Sequence, residues 1–267
     1  MSYLASRATA LDYQTCRYGA SRLVFRGPKK STTKPYIAVL GGTEVYGRFV
    51  ARPFADLLEL ECDRPVINLG CQNAGVDAFL CDPDVMSLAK GAQLTLLHVM
   101  SAQNMSNRFY RVHPRRNDRF LGPSDALKEL YHEVDFTDFS FTRHLLTTLK
   151  AVCPARFVRV REELERAWSE RMRLLLRTIE GPVLLIWLHE AEPKGLGPEP
   201  LFVDPDMVND VAKCTLGVID VPITRASNDL FDMIYGPLEA PVASEMLSVA
   251  THHEIAAQLV PTVSKHI

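Results

Sequence analysis

The sequence has little of what would narrow its role at once. Its six cysteines (Cys16, Cys62, Cys71, Cys81, Cys153 and Cys214) show neither CxxC nor Cys/His ligand spacing. That argues against a zinc or disulfide framework and for reduced thiols in a cytoplasmic protein. No apolar run reaches the roughly 18 residues that a membrane span requires. Met1–Leu11 lacks an apolar centre, so no cleaved leader is expected. Charge of one sign is not in excess: 30 Lys and Arg stand against 32 Asp and Glu, a net charge of -2. A general attraction for nucleic acid or membrane is therefore not expected. Gly-Lys-Ser/Thr is missing, which excludes a P-loop.

What is present is a set of short apolar runs ending in small residues. Ile37-Ala38-Val39-Leu40 runs into Gly41-Gly42-Thr43-Glu44. An unbroken apolar run of this length reads as a strand buried on both faces of a parallel sheet. A helix is predicted over residues 48–60. Pro65–Gly70 is a second strand, turning at 70–75, and Asp82-Pro83 opens a helix as N-cap and first-turn proline. Leu94–Met100 is the third strand, Pro182–Leu188 the fourth and Gly217–Val221 the fifth. Helices are expected over 124–132, 139–150, 160–179, 204–213, 242–249 and 252–259, the last stopped by Pro261. Trp168 and Met172 keep helical spacing with Leu164, Leu175 and Ile179, as core residues do. Residues 192–198, with two prolines and two glycines, read as a mobile loop. Together these give one domain over 1–267: a three-layer α/β/α sandwich with a mostly parallel five-stranded sheet. Residues 1–35 form an N-terminal extension, in which Arg26, Lys29 and Lys30 read as solvated surface or as an anion site.

In such sheets chemistry collects at the carboxyl ends of the strands. The first strand offers Thr43, the second Gly70 and Asn73, the third Ala102-Gln103-Asn104. Acyl transfer needs a hydroxyl and donors for the developing oxyanion. Thr43 is the hydroxyl candidate, the Gly70 N–H and the Asn104 amide are the donors, and His252 and His253 at the last helix are candidate bases. His98 within the third strand reads as a buried imidazole, and His189 beyond the fourth as a better site candidate. A dinucleotide reading of Val39-Leu40-Gly41-Gly42 fails: with Gly42 and Gly47 as outer glycines, the middle position is Glu44, a carboxylate facing phosphates.

The order of these blocks resembles the SGNH (GDSL-like) hydrolases. Gly41-Gly42-Thr43 stands at their Gly-Asp-Ser block, Asn68-Leu69-Gly70 at the second, Ala102-Gln103-Asn104 at the Gly-x-Asn block and His253 at the final histidine. The resemblance covers residues 36–260 and implies a flavodoxin-like sandwich. It also implies a hydrolase or acyltransferase in which Thr43 attacks, His253 or His252 takes the proton, and Gly70 and Asn104 hold the oxyanion. Threonine replaces serine, and the acid three residues before the histidine is Ala250 or Val249. The chain is also similar to bacterial proteins of unknown function sharing Phe-Arg-Gly-Pro, Gly-Gly-Thr-Glu-x-Tyr-Gly and Val-His-Pro-Arg-Arg-Asn-Asp-Arg.

Arg108, Arg111, Arg115, Arg116 and Arg119 crowd the segment after the third strand. Arginine forks bind carboxylate, phosphate or sulfate in bidentate fashion. With Asn73 they are the expected substrate contacts, anchoring an anionic group; the competing reading is pairing with Asp118, Glu133, Asp135 and Asp138. The expected ligand is thus a small molecule or glycan, anionic in character. Neither a cofactor nor a metal is expected. A non-catalytic protein binding an anionic glycan or metabolite is the alternative, and sulfuryl or phosphoryl transfer a weaker one.

Overall fold

The computed structural model describes residues 10–190 and 195–267. Residues 192–194 of the loop expected at 192–198 lie outside the described residues.

Strands β1 (Ile37–Gly41), β2 (Val66–Gly70) and β3 (Leu94–His98) are buried along their whole length. Strands with no solvated face need cover on both sides, and they have it. Ala38, Leu40, Ile67, Leu69 and Leu97 pack into one apolar cluster, while Ile37, Val39, Val66, Leu94 and Leu96 pack into a second on the opposite face. This is the period-2 alternation of a strand resolved onto two cores. The larger cluster is covered by α3 (Val76–Leu80), α4 (Pro83–Gly91), α6 (Thr142–Val152), α7 (Pro154–Ile179) and α8 (Pro205–Ala212). The smaller one is covered by α2 (Phe54–Cys62) and α10 (Val249–Val263). Trp168 and Met172 are fully buried, and the Trp168 indole donates to the Met100 carbonyl at 2.7 Å.

With β6 (Val183–Glu190) and β7 (Val218–Ile223), the sheet has the order β2-β1-β3-β6-β7 and every pairing is parallel. The expected three-layer α/β fold is observed. The chain leaves β1 first to one side, towards β2, and then to the other, towards β3. The tips of β1 and β3 therefore flank a switch point, where such sheets hold ligands.

Several elements differ from the sequence reading, each for a local reason. No helix spans 48–60. One helical turn, α1 (Thr43–Tyr46), ends at Gly47, whose left-handed φ of 69° stops it, and α2 begins after Pro53. The arginine-rich segment is not a loop: β4 (Tyr110–His113) and β5 (Arg116–Pro123) pair as an irregular antiparallel hairpin. Helix α7 starts six residues earlier than expected, with Pro154 in its first turn, where a missing N–H costs nothing. Pro261 lies inside α10, near its end, instead of stopping it. Short helices α5 (Asp125–Leu130) and α9 (Ala240–Ser244) complete the fold. The Asp82 cap holds, its carboxylate accepting from Val85 N at 3.2 Å.

The N-terminal segment is fastened to the sheet. Tyr18, Leu23 and Phe25 join the larger core, and Arg26 is buried, donating to the carbonyls of Gly47, Val50 and Ala51 at 2.7, 2.7 and 2.6 Å. Lys30 bonds Glu59 and the Val66 carbonyl at 2.8 and 2.9 Å. Arg26 and Lys30 are thus committed to protein acceptors and do not form the anion site considered for them.

Candidate functional site

A cavity of about 620 Å³ opens above the tips of β1, β3 and β6. From the β1 turn it takes Gly42, Thr43 and Glu44; from the β2 turn Asn73 and Ala74; from β3 and beyond His98, Ser101, Gln103 and Asn104. Convergence of separate strand tips on one pocket is therefore observed. The cavity also draws on Asp118 of the hairpin, Arg143 of α6, Glu190 of β6, and Glu199, Arg225 and Glu245 from later segments.

Glycines bring these turns together. A Cβ on Gly41 would stand 2.6 Å from the Cβ of His98, and one on Gly75 only 1.7 Å from the Asn104 carbonyl oxygen. The buried Asn117 side chain adds a staple, its Oδ1 accepting from Gly75 N at 2.8 Å and its Nδ2 donating to His113 O at 3.0 Å. So the hairpin is tied to the β2 turn through an asparagine, not through its arginines.

Thr43 Oγ1 accepts from Asn73 N at 2.9 Å and donates to Asn73 Oδ1 at 3.3 Å. Asn73 adopts the left-handed backbone (φ 57°), which asparagine tolerates, and its Nδ2 donates to Asp118 Oδ2 at 3.3 Å. Asn104 Oδ1 accepts from Thr142 Oγ1 at 3.0 Å, which fixes the amide plane at the cavity wall.

Other expected residues are elsewhere. The Gly70 N–H donates to Asn68 Oδ1 at 2.9 Å in a buried turn, and a Cβ there would lie 2.4 Å from Tyr46 N; this glycine serves close packing and does not line the cavity. His252 is 1% exposed, stacks on Phe54 and accepts from Phe54 N at 3.2 Å through Nδ1. It caps α2. His253 is exposed on α10 and does not line the cavity. Arg108, Arg111, Arg115 and Arg116 are exposed on and beside the hairpin, with no salt bridge among the described residues, and none lines the cavity. His189 points to the other face of β6, as alternation requires, and bonds Asp220 at 2.6 Å.

The charged floor is the part the sequence reading missed. Glu44 Oε1 accepts from Arg225 Nη1 at 2.9 Å, and Arg225 Nε reaches Glu190 Oε1 at 2.5 Å. Burial opposes a charge on Glu44, but the Arg225 guanidinium, with His98 beside it, outweighs burial and holds its carboxyl at about 2. Arg225 is held more firmly protonated than usual by the same pair of carboxylates, against the effect of burial. His98 is 4% exposed, burial lowers its pKa, and its Nδ1 has no partner. Nearby, Glu199 pairs with Arg143 and accepts from Ser101 Oγ at 2.8 Å. Arg225 and Glu199 lie far along the chain from the strand motifs. Glu190 carried a weak signal, one strand alternation beyond Leu188.

Buried neutral His252 makes stability fall in acid. Burial, aided by the Arg26 charge, lowers its pKa to about 3, while an unfolded imidazole takes its proton near 6.5. Between those values the unfolded chain binds more protons, so stability falls as pH drops. From pH 7 to pH 5 the expected loss is about 2 kcal/mol from this group alone. Urea melts at both pH values check this: His252→Asn should remove most of that slope, and an unchanged slope would contradict it.

Among the described residues no group of three or more His, Cys, Asp or Glu is placed to hold a metal ion, and no helix is long and apolar enough to cross a membrane. The molecule is a flavodoxin-like α/β sandwich with a polar, charge-lined cavity at its switch point, the fold that the SGNH resemblance implies. The chain belongs to the family described as Domain of unknown function (DUF6473), which matches residues 1–267. A search of curated proteins found no match. Among solved structures, the chain is similar to a lipase/acylhydrolase from Enterococcus faecalis, with 13% identity and TM-score 0.42, covering 87% of this chain and 96% of that one. It is similar to a family two carbohydrate esterase from Clostridium thermocellum in complex with cellohexaose, with 12% identity and TM-score 0.43, covering 91% of this chain and 66% of that one. A protein from Lactobacillus plantarum has 13% identity and TM-score 0.43, covering 87% of this chain and 98% of that one.

Proposed function

We propose that this chain binds a small, hydroxyl-bearing molecule, a sugar unit or a metabolite of similar size, in the switch-point cavity, without a Thr–His nucleophile pair. The observation that carries this reading is the state of Thr43. Its hydroxyl is bonded to Asn73 in both directions. His253 does not line its cavity, and His252, which meets Thr43 only in a small closed pocket beneath, has its Nδ1 engaged by Phe54 N. A nucleophile of this kind needs a base within hydrogen-bond reach. The cavity volume lies in the range of small-molecule sites, and its walls present amides, hydroxyls and carboxylates suited to a ligand of many hydroxyls.

Acyl hydrolysis is the second reading, supported by one feature: His98, with its unpartnered Nδ1, shares the cavity with Thr43 and Asn104. In that reading Thr43 attacks the acyl carbon, His98 takes its proton and the Asn104 amide faces the oxyanion. Two measurements separate the readings. Calorimetric titration with neutral mono- and oligosaccharides should give saturable binding that survives Thr43→Ala and weakens at least fivefold in Asn104→Ala. Assays with short-chain nitrophenyl esters should give equal, background rates in wild type and Thr43→Ala. A hundredfold loss of a real wild-type rate would install the hydrolase instead.

A further inference from the structure

The sequence led to an anionic ligand held by arginines, but the cavity has the opposite sign. Glu44, Asp118, Glu190, Glu199 and Glu245 line it, against Arg143 and Arg225. Five carboxylates less two guanidiniums leave three negative charges. The charges are not evenly satisfied. Glu199 has Arg143 to itself. Among the described residues, Glu44 and Glu190 share Arg225. Asp118 has the Asn73 amide, and Glu245 has no salt bridge among the described residues. Arg116 and Arg119 favour the charge on Asp118, but both are exposed and screened by water, whereas burial acts against that charge.

A second, independent observation points the same way. Gln103 lies in the cavity wall, 5% exposed, and its Oε1 has no hydrogen-bond partner. A buried carbonyl without a donor costs about 1–3 kcal/mol. A ligand N–H or O–H is the group that would relieve it. His98 Nδ1, 4% exposed on the same wall, is also without a partner, and is an acceptor in the tautomer that carries its proton on Nε2. Two buried groups without partners and an excess of carboxylates call for a ligand that donates hydrogen bonds and carries positive charge. A concave, low-dielectric wall of one sign also concentrates counter-ions at its mouth.

We propose that the occupant of this cavity carries a protonated amine on a hydroxyl-bearing skeleton, as an amino sugar does, with the ammonium held by the carboxylates that Arg225 leaves under-neutralised and by Asp118. This rests on the binding reading above and narrows it. The ammonium supplies donors only, matching a wall whose open positions are acceptors. An anionic sugar would instead meet Glu44, Glu190 and Asp118 without a free guanidinium, since Arg143 and Arg225 are both engaged.

The test compares three probes of one skeleton by calorimetry at low salt: glucosamine below pH 7, glucose and glucuronate. Glucosamine should bind at least roughly tenfold more tightly than glucose, glucuronate should be weakest, and raising salt to about 0.3 M should erode most of the glucosamine advantage. Asp118→Asn should reduce the glucosamine preference, read as the ratio of its affinity to that of glucose in the same variant, threefold or more. Glu245→Gln, at an exposed position, should do so to a smaller extent without any question of misfolding. Equal affinity for glucosamine and glucose would overturn the charge selection and leave the binding reading standing. Tighter binding of glucuronate would overturn it in favour of the arginines. Absence of saturable binding by any of the three would overturn both readings.

Discussion

Arg225→Ala should lower stability by about 4 kcal/mol and disable the cavity. The guanidinium stands between two carboxylates, 2.9 Å from Glu44 and 2.5 Å from Glu190, and all three side chains are largely buried. Removing the cation leaves two buried like charges facing each other. Breaking a buried pair in this way typically costs about 3–5 kcal/mol, far more than the net worth of the pair. The loss should fall sharply as pH is lowered, because the freed carboxylates then take up protons. The sign follows from linkage: Glu44 is held at about 2 in the wild type, and without Arg225 burial drives it upward, so the folded variant binds protons before the unfolded chain does. Arg225→Lys should recover less than half, since one ammonium cannot reach two separate carboxylates as a planar fork does. Urea midpoints of the three proteins at pH 7 and pH 5 decide this. A loss below about 1 kcal/mol would mean that water already shares the cluster.

Arg26→Ala should cost about 3 kcal/mol, although Arg26 lies outside the sheet. Its guanidinium closes the carbonyls of Val50 and Ala51 beyond the broken helix after Thr43, and adds a charged donor to that of Gly47, which also accepts from Val50 N at 3.3 Å. Each buried carbonyl that loses a charged donor and finds no water costs on the order of 1–3 kcal/mol. The same carbonyls follow the turn that carries Thr43 and Glu44, so ligand affinity should drop together with stability. Because the positive charge of Arg26 also helps keep His252 neutral, the variant should raise the pKa of that imidazole. A chemical-shift titration of His252 checks this: an unmoved midpoint would show that burial alone sets it.

The contrast between what could be read and what could not is physical. The fold was legible because strands buried on both faces must be apolar throughout, and the runs at Ile37, Val66, Leu94 and Val183 advertise that condition locally. The glycines at 41 and 75 were legible as turn residues, although the contacts that require them involve His98 and Asn104. The convergence of Thr43, Asn73 and Asn104 followed from parallel topology, which puts all strand tips on one edge. The positions of the arginines did not follow. A segment of five arginines after β3 reads as an anchor for anions, yet the irregular hairpin buries Asn117 as a staple to the β2 turn, brings Asp118 to the cavity and leaves Arg115 and Arg116 in water. His252 looked like a base at a helix start, but its helix packs on α2 and buries the ring as a cap.

Composition and local pattern alone determined the parallel sandwich, its polar strand tips and a chain of balanced charge. Such properties depend on near neighbours in sequence and on the need to bury apolar runs. Only the tertiary structure decided the character of the cavity, because Glu44, Glu190 and Arg225 are separated by up to 181 residues and acquire their meaning from mutual distance. A charge has no sign of preference until its partners are placed around it, and no single segment of the chain contains them.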